Sequence, residues 1–118
     1  MSIEIITVCG AGTMGHGIAQ VCAQNGLLVR LYDIQDEYVQ RRKNNIIKNL
    51  DKGILRGKVT LEEKETCLEK ITYTTSLEEG CKSSDLVIEA IPEKLELKHE
   101  LLMKIEPLIS TTTIIATN

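Results

Sequence analysis

Residues 3–33 run in an order that few folds can accommodate: an apolar run, a glycine-rich turn, a helix, and a second apolar run closing on an acid. Ile3, Ile5, Ile6 and Val8 are too few for a helix and rich in β-branching, which predicts a buried strand. The hexamer Gly10-Ala11-Gly12-Thr13-Met14-Gly15 follows at once. Gly10 permits a tight turn out of the strand. Gly12 lets backbone approach a pyrophosphate with no Cβ in the way, and Gly15 lets the next helix sit close to the sheet. That helix begins inside the motif, so its unpaired N–H groups and positive dipole end face the same point. Leu27, Leu28, Val29, Leu31 and Tyr32 form the second strand, and Asp33 ends it.

Asp33 lies 23 residues after Gly10, close to the spacing expected of an acid that accepts both ribose hydroxyls of an adenosine. The glycine hexamer alone is a weak signal, since such turns also pack helices onto sheets with no ligand. Strand, glycines, helix, strand and terminal acid in this order make a strong one. A carboxylate at position 33 would repel a 2′-phosphate, and neither Ile34 nor Gln35 is a cation that could receive one. Arg30 is the nearest, but two-residue alternation puts it out of step with the acid. The pattern therefore favours NAD over NADP.

At 118 residues and a net charge of −3, the chain reads as one domain with room for a core, short for a two-domain enzyme. The absence of a basic run argues against nucleic acid as a partner. No apolar stretch approaches membrane-spanning length, and Met1 stands too near the first strand to leave room for a leader peptide. The four cysteines, Cys9, Cys22, Cys67 and Cys81, show no metal-binding or redox spacing. Cys9 and Cys22 read as small buried hydrophobes. The expected setting is the reducing cytoplasm, with no metal.

Strands and helices alternate along the rest of the chain. Asp36 is placed to cap a helix with the apolar stripe Val39, Ile46, Ile47, Leu50 and Ile54, and Gly53 and Gly57 punctuate its end. Thr60 with Glu63 forms a capping box for a second helix through Leu68. Residues 71–75 read as a third strand. Ser76 with Glu79 is a second capping box, opening a single turn that Gly80 stops. Residues 85–91 read as a fourth strand ended by Pro92; Leu97, Leu101, Ile105, Leu108 and Ile109 line a helix; residues 112–117 read as a fifth strand. This alternation predicts an α/β fold with a doubly wound parallel sheet, a Rossmann fold, carrying an inserted helical pair between strands two and three. Ligands of such sheets sit at the carboxyl ends of the strands, here at Gly10, Asp33, Pro92-Glu93 and Asn118. The inserted pair carries Arg41, Arg42, Lys43, Lys48, Lys52, Arg56 and Lys58. It is either a solvated face or a cationic lid for a phosphorylated substrate such as coenzyme A.

The segments from Gly10 to Gln20, Tyr32-Asp33-Ile34, Asp85 to Ala90 and Ile114 to Asn118 together resemble the 3-hydroxyacyl-CoA dehydrogenases, most closely the bacterial 3-hydroxybutyryl-CoA dehydrogenases. The likeness covers the whole chain, the inserted pair included. It implies cofactor contacts for Gly10, Ala11, Gly12, Thr13, Met14, Gly15 and Asp33. Glu93 and Lys98 match a family glutamate and a lysine five residues later, both at the cofactor, and Asn118 opens a family segment at the same site. Lys52 and Arg56 are candidates for coenzyme A. In the family, the substrate-contacting serine, the catalytic histidine with its glutamate, and a helical domain that completes the acyl-CoA site and the dimer all follow this point.

The resemblance thus implies an N-terminal NAD-binding domain, residues 1–118, of an enzyme that moves a hydride between a 3-hydroxyacyl-CoA and NAD to give a 3-ketoacyl-CoA. Fatty-acid or butanoate metabolism is the implied setting, and a homodimer or larger the implied state of the intact enzyme. The 118-residue chain by itself is expected to bind NAD without catalysis and to self-associate through its last strand. His16 and His99 lack the sequence context of the family's base. Two other readings compete: a nucleotide-sensing module without chemistry, and an S-adenosylmethionine-dependent methyltransferase, which the third glycine and the Glu93/Lys98 pair disfavour.

Overall fold

The computed structural model describes residues 3–10, 13–91 and 95–117. Five parallel strands, β1 (Ile5–Cys9), β2 (Leu28–Tyr32), β3 (Ile71–Thr74), β4 (Leu86–Glu89) and β5 (Ile114–Thr117), form one sheet in the order β3-β2-β1-β4-β5. The order reverses between β1 and β4, so the topological switch point lies at Cys9 and Glu89, which are register partners. The doubly wound sheet expected from the alternation is the fold observed.

Two-residue alternation divides the core. Ile6, Val8, Val29 and Leu31 pack with Ala19 and Ala23 of α1 (Thr13–Gln24), Ile46 and Leu50 of α2 (Asp36–Leu55), and Cys67 of α3 (Leu61–Lys70). On the opposite face Cys9 and Val87 pack with Cys81 of α4 (Leu77–Cys81) and Ile105 of α5 (Leu95–Ile105). A fully buried Leu or Ile contributes roughly 1.5–3 kcal/mol, so the two clusters hold helices on both sides of the sheet. Thr7, also fully buried, turns to the second face, where its hydroxyl donates to Gly80 O at 2.5 Å and contacts the Ser84 hydroxyl.

The inserted helical pair is present, with some ends differing from expectation. Gln35, not Asp36, occupies the cap position of α2 and makes no side-chain cap bond. Asp36 and Glu37 stand in the first turn, where negative charge meets the helix's positive end instead. Thr60 and Glu63 form both halves of the expected capping box. Ser76 makes only one half. Its side chain accepts the Glu79 N–H, but its own N–H donates to Thr74 Oγ1 at 2.9 Å, which removes the donor Glu79 would have needed. Gly80 lies inside α4 rather than ending it, packed against Tyr32 and Thr74, where even a Cβ would make only ordinary contacts at 3.5 Å. The fourth strand is shorter than expected, stopping at Glu89.

Candidate functional site

A cleft of about 410 Å³ opens at the carboxyl ends of β1 and β2. Gly10, Tyr32, Asp33 and Ile34 border it from the sheet, Tyr38, Arg41 and Arg42 from α2. Ile91 and four α5 residues, Leu97, Glu100, Leu101 and Lys104, complete the wall. It is largely apolar with a few charged groups among its lining residues, as a site for a heterocycle joined to charged groups should be.

Gly10 makes the turn possible in two ways. Its φ is +77°, a region strained for any residue with a Cβ, and an added Cβ would lie 2.1 Å from Ile91 Cγ2. Its N–H donates to Tyr32 O at 3.0 Å, holding the turn against β2. At Gly15 a Cβ would stand 3.0 Å from Gly10 O and 3.5 Å from Ala90 Cβ. The first turn of α1 thus rests directly on the glycine turn, with its N-terminus at the carboxyl end of the sheet. Ala11, Gly12, Glu93 and Asn118 lie outside the described residues, and for Thr13 and Met14 the helical backbone is described.

Asp33 is half-buried at the end of β2, where its N–H donates to Thr74 O at 3.3 Å and its Oδ1 accepts the Ile34 N–H at 2.7 Å. Arg30 turns away: its guanidinium donates to the carbonyls of Glu79 and Lys82. Besides Lys104 of α5, two cations of α2 reach the cleft, from a source that sequence proximity to Asp33 does not reveal. Arg41 and Arg42 come back to it along α2. Arg41 is committed to Glu37 at 3.3 Å and stands 5.9 Å from the centre of the Tyr38 ring. Lys52 and Arg56 are exposed at the far end of α2, away from this cleft.

At the switch point stands a residue the sequence reading passed over. The Glu89 carboxylate is fully buried, with Lys98 Nζ 3.4 Å from Oε1. An acid inside the apolar run from Leu86 to Ile91 is the signal that could have found it. The neighbouring Cys9 is fully buried, and its hydrogen bond to Cys81, together with that burial, pushes its thiol above the ordinary range. Cys22 is only half-buried, and its thiol too is raised by burial. His16 is buried in α1 and His99 is exposed on α5. Among the described residues no three His, Cys, Asp or Glu side chains gather as metal ligands, and no helix is long and apolar enough to cross a membrane.

The model of the 3-hydroxyacyl-CoA dehydrogenase NAD-binding domain matches residues 5–118. A probable 3-hydroxybutyryl-CoA dehydrogenase of Bacillus subtilis is 36% identical over 118 residues, covering all of this chain and 41% of the relative. The 3-hydroxyadipyl-CoA dehydrogenase of Escherichia coli is also 36% identical over 118 residues, covering all of this chain and 25% of that protein. The crystal structure of (S)-3-hydroxybutyryl-CoA dehydrogenase from Ralstonia eutropha superimposes with a TM-score of 0.95 at 40% identity, over 99% of this chain and 41% of that one. The chain thus spans between a quarter and two fifths of these relatives.

Proposed function

Because the chain belongs to the NAD-binding domain family of the 3-hydroxyacyl-CoA dehydrogenases, we propose that it serves as the cofactor half of an oxidoreductase acting on a short 3-hydroxyacyl-CoA such as 3-hydroxybutyryl-CoA. The observation that carries this reading is that the Gly10 turn and Asp33 border one cleft, while Gly15 in the first turn of α1 packs directly against Gly10. The residues present fit the dinucleotide. The Gly10 backbone leaves no space for a side chain and so brings main chain to the surface, the helix start offers N–H groups to a pyrophosphate, and Asp33 supplies acceptors for ribose hydroxyls. Gly10, Ala11, Gly12, Thr13, Met14, Gly15, Asp33, Glu93, Lys98 and Asn118 are the proposed cofactor contacts.

NAD, when bound, supplies the hydride acceptor or donor for the carbon bearing the 3-oxygen, while the protein binds, orients and excludes water. The proton of the 3-hydroxyl requires a base; His16 is buried in α1 and His99 exposed on α5, and this reading gives neither that role. The 118-residue chain is therefore a binding unit. Lys52 and Arg56 are proposed to meet the phosphates of coenzyme A, from an exposed face that a long substrate could reach. We further assign the intact protein to fatty-acid or butanoate metabolism in the cytoplasm, as a homodimer or larger. Fluorescence titration with NADH, beside NADPH and S-adenosylmethionine, tests the reading. NADH should bind tightest, and preferential binding of S-adenosylmethionine would reject it. The competing idea of a nucleotide sensor is decided by whether the intact protein oxidises 3-hydroxybutyryl-CoA.

A further inference from the structure

Glu89 closes β4 with a carboxylate fully removed from solvent, the only acid so placed among the described residues. Burying a carboxylate carries a large desolvation cost, and an apolar residue of similar size would fill the space without it. Its partners therefore indicate what it is for. Oε2 accepts the Ile91 N–H at 2.7 Å, which fixes the backbone leaving the strand. Oε1 lies 3.4 Å from Nζ of Lys98, in the first turn of α5, whose side chain is 16% exposed. One carboxylate thus ties together both sides of the β4–α5 connection.

The location gives the pair its meaning. Glu89 pairs in register with Cys9, the residue before the glycine turn, and the Ala90 N–H donates to Cys9 O at 2.8 Å. The pair consequently sits on the β4 side of the switch point, whereas Asp33 sits on the β2 side. A dinucleotide lies across such a crevice. With its adenosine at Asp33 and its pyrophosphate at the start of α1, its second nucleoside falls on the β4 side. Lys98 does not border the cleft that holds Asp33, and its side chain keeps part of its exposure while Glu89 holds its ammonium.

We propose that Glu89 is a positioning residue for the cofactor: through its ion pair it fixes the Lys98 ammonium, as a charge and in direction, toward the nicotinamide half of the bound dinucleotide. This rests on the reading of the site as an NAD site. Glu89 itself touches no ligand; it acts through Lys98 and through the backbone at Ile91.

The test is calorimetric titration of NADH, and separately of ADP, which carries the adenosine and the diphosphate but no nicotinamide nucleoside, into the chain and three variants: Glu89→Gln, Lys98→Gln and the double variant. Gln at 89 keeps an oxygen for the Ile91 N–H and removes the charge. The expected result is a loss of about 5- to 20-fold in NADH affinity for each single variant, with ADP affinity changed less than about twofold. The double variant should be no weaker than Lys98→Gln, since coupled groups fail to add. Equal losses for NADH and ADP would make Glu89 a merely structural residue, and an additive double variant would show that it does not act through Lys98. Either outcome, or unchanged NADH affinity in Glu89→Gln, overturns the proposal. If Glu89→Gln does not fold, Glu89→Asp replaces it; its shorter carboxylate should give the same NADH-selective loss, and an unselective or absent loss overturns the proposal. A parent chain that binds NADH while Glu89→Gln shows no NADH-selective loss refutes this inference alone, whereas a parent that binds no NADH refutes the NAD site itself.

Discussion

Gly10 and Ile91 stand so close that a Cβ on Gly10 would lie 2.1 Å from Ile91 Cγ2 and 3.0 Å from its N and Cα. The end of β1 and the chain leaving β4 are thus pressed together where the sheet order reverses. Main chain, not side chain, forms this part of the wall. Gly10→Ala should lose stability twice over, through a strained positive φ at about 1–2 kcal/mol and through overpacking at about 1–3 kcal/mol. The expected total is a fall of about 2–5 kcal/mol in the free energy of urea unfolding, with NADH binding lost in whatever remains folded. A variant as stable as the parent would show that the two segments separate easily.

Asp33 is the residue on which dinucleotide choice should turn. Asp33→Ala is expected to weaken NADH by about 1.5–3 kcal/mol, the scale of lost charge-assisted hydrogen bonds. NADPH should lose less, because the same change removes a repulsion and leaves Arg41 and Arg42 in the cleft. Fluorescence titration of both nucleotides against parent and variant is the measurement. Equal affinities in the parent would sink the role given to Asp33.

Asp33 and the glycines were legible in sequence because their relation is nearly covalent: one strand, one turn, one helix and one strand fix the distance between them. The Thr60 cap was legible for the same reason. Glu89 and Lys98 were not seen as a pair, since the path of the connection from β4 to α5 decides whether position 98 comes back over position 89. Arg41 and Arg42 were read only as part of the inserted pair's cationic face and not as neighbours of Asp33, because cations for that site were sought beside it in sequence, while α2 returns them two turns later. At Ser76 the cap pattern was real, but a competing acceptor, Thr74 Oγ1, took half of it.

The 118-residue chain should not reduce acetoacetyl-CoA with NADH. Loss of a general base alone typically removes 10²–10⁴ of rate, and neither histidine here stands ready to replace one. A stopped-flow or plate assay following NADH absorbance checks this. Turnover that survives rigorous purification and disappears in His16→Gln would give His16 the role denied to it.

Asp85 anchors the start of the sheet, accepting the N–H groups of Glu4 at 2.8 Å and Ile5 at 2.9 Å. These bonds favour the charged form and hold its carboxyl below the usual carboxylate range. A depressed folded pKa means stability that is fully present above the unfolded value, about 3.9, and lost as pH falls through the folded one. Asp85→Asn should therefore destabilise most near neutrality, and its deficit should shrink steadily once pH drops below about 4. Chemical unfolding at a series of pH values reads this directly. A deficit independent of pH would mean that the charge on Asp85 contributes nothing.

β5 forms an edge of the sheet, paired to β4 on one side. Ile114 and Ile115 on it are 48% and 36% exposed. An edge that is β-prone, apolar and uncharged offers its free N–H and C=O groups to another strand, and its side chains add a driving force for association. The 118-residue chain should therefore self-associate at high concentration through this edge. Light scattering over a concentration series should show a rising mean mass, and Ile115→Lys should hold the chain monomeric, since a charge on an edge strand opposes pairing. A parent that stays monomeric would show the edge to be protected, and an unchanged oligomer in the variant would place the contact on another surface.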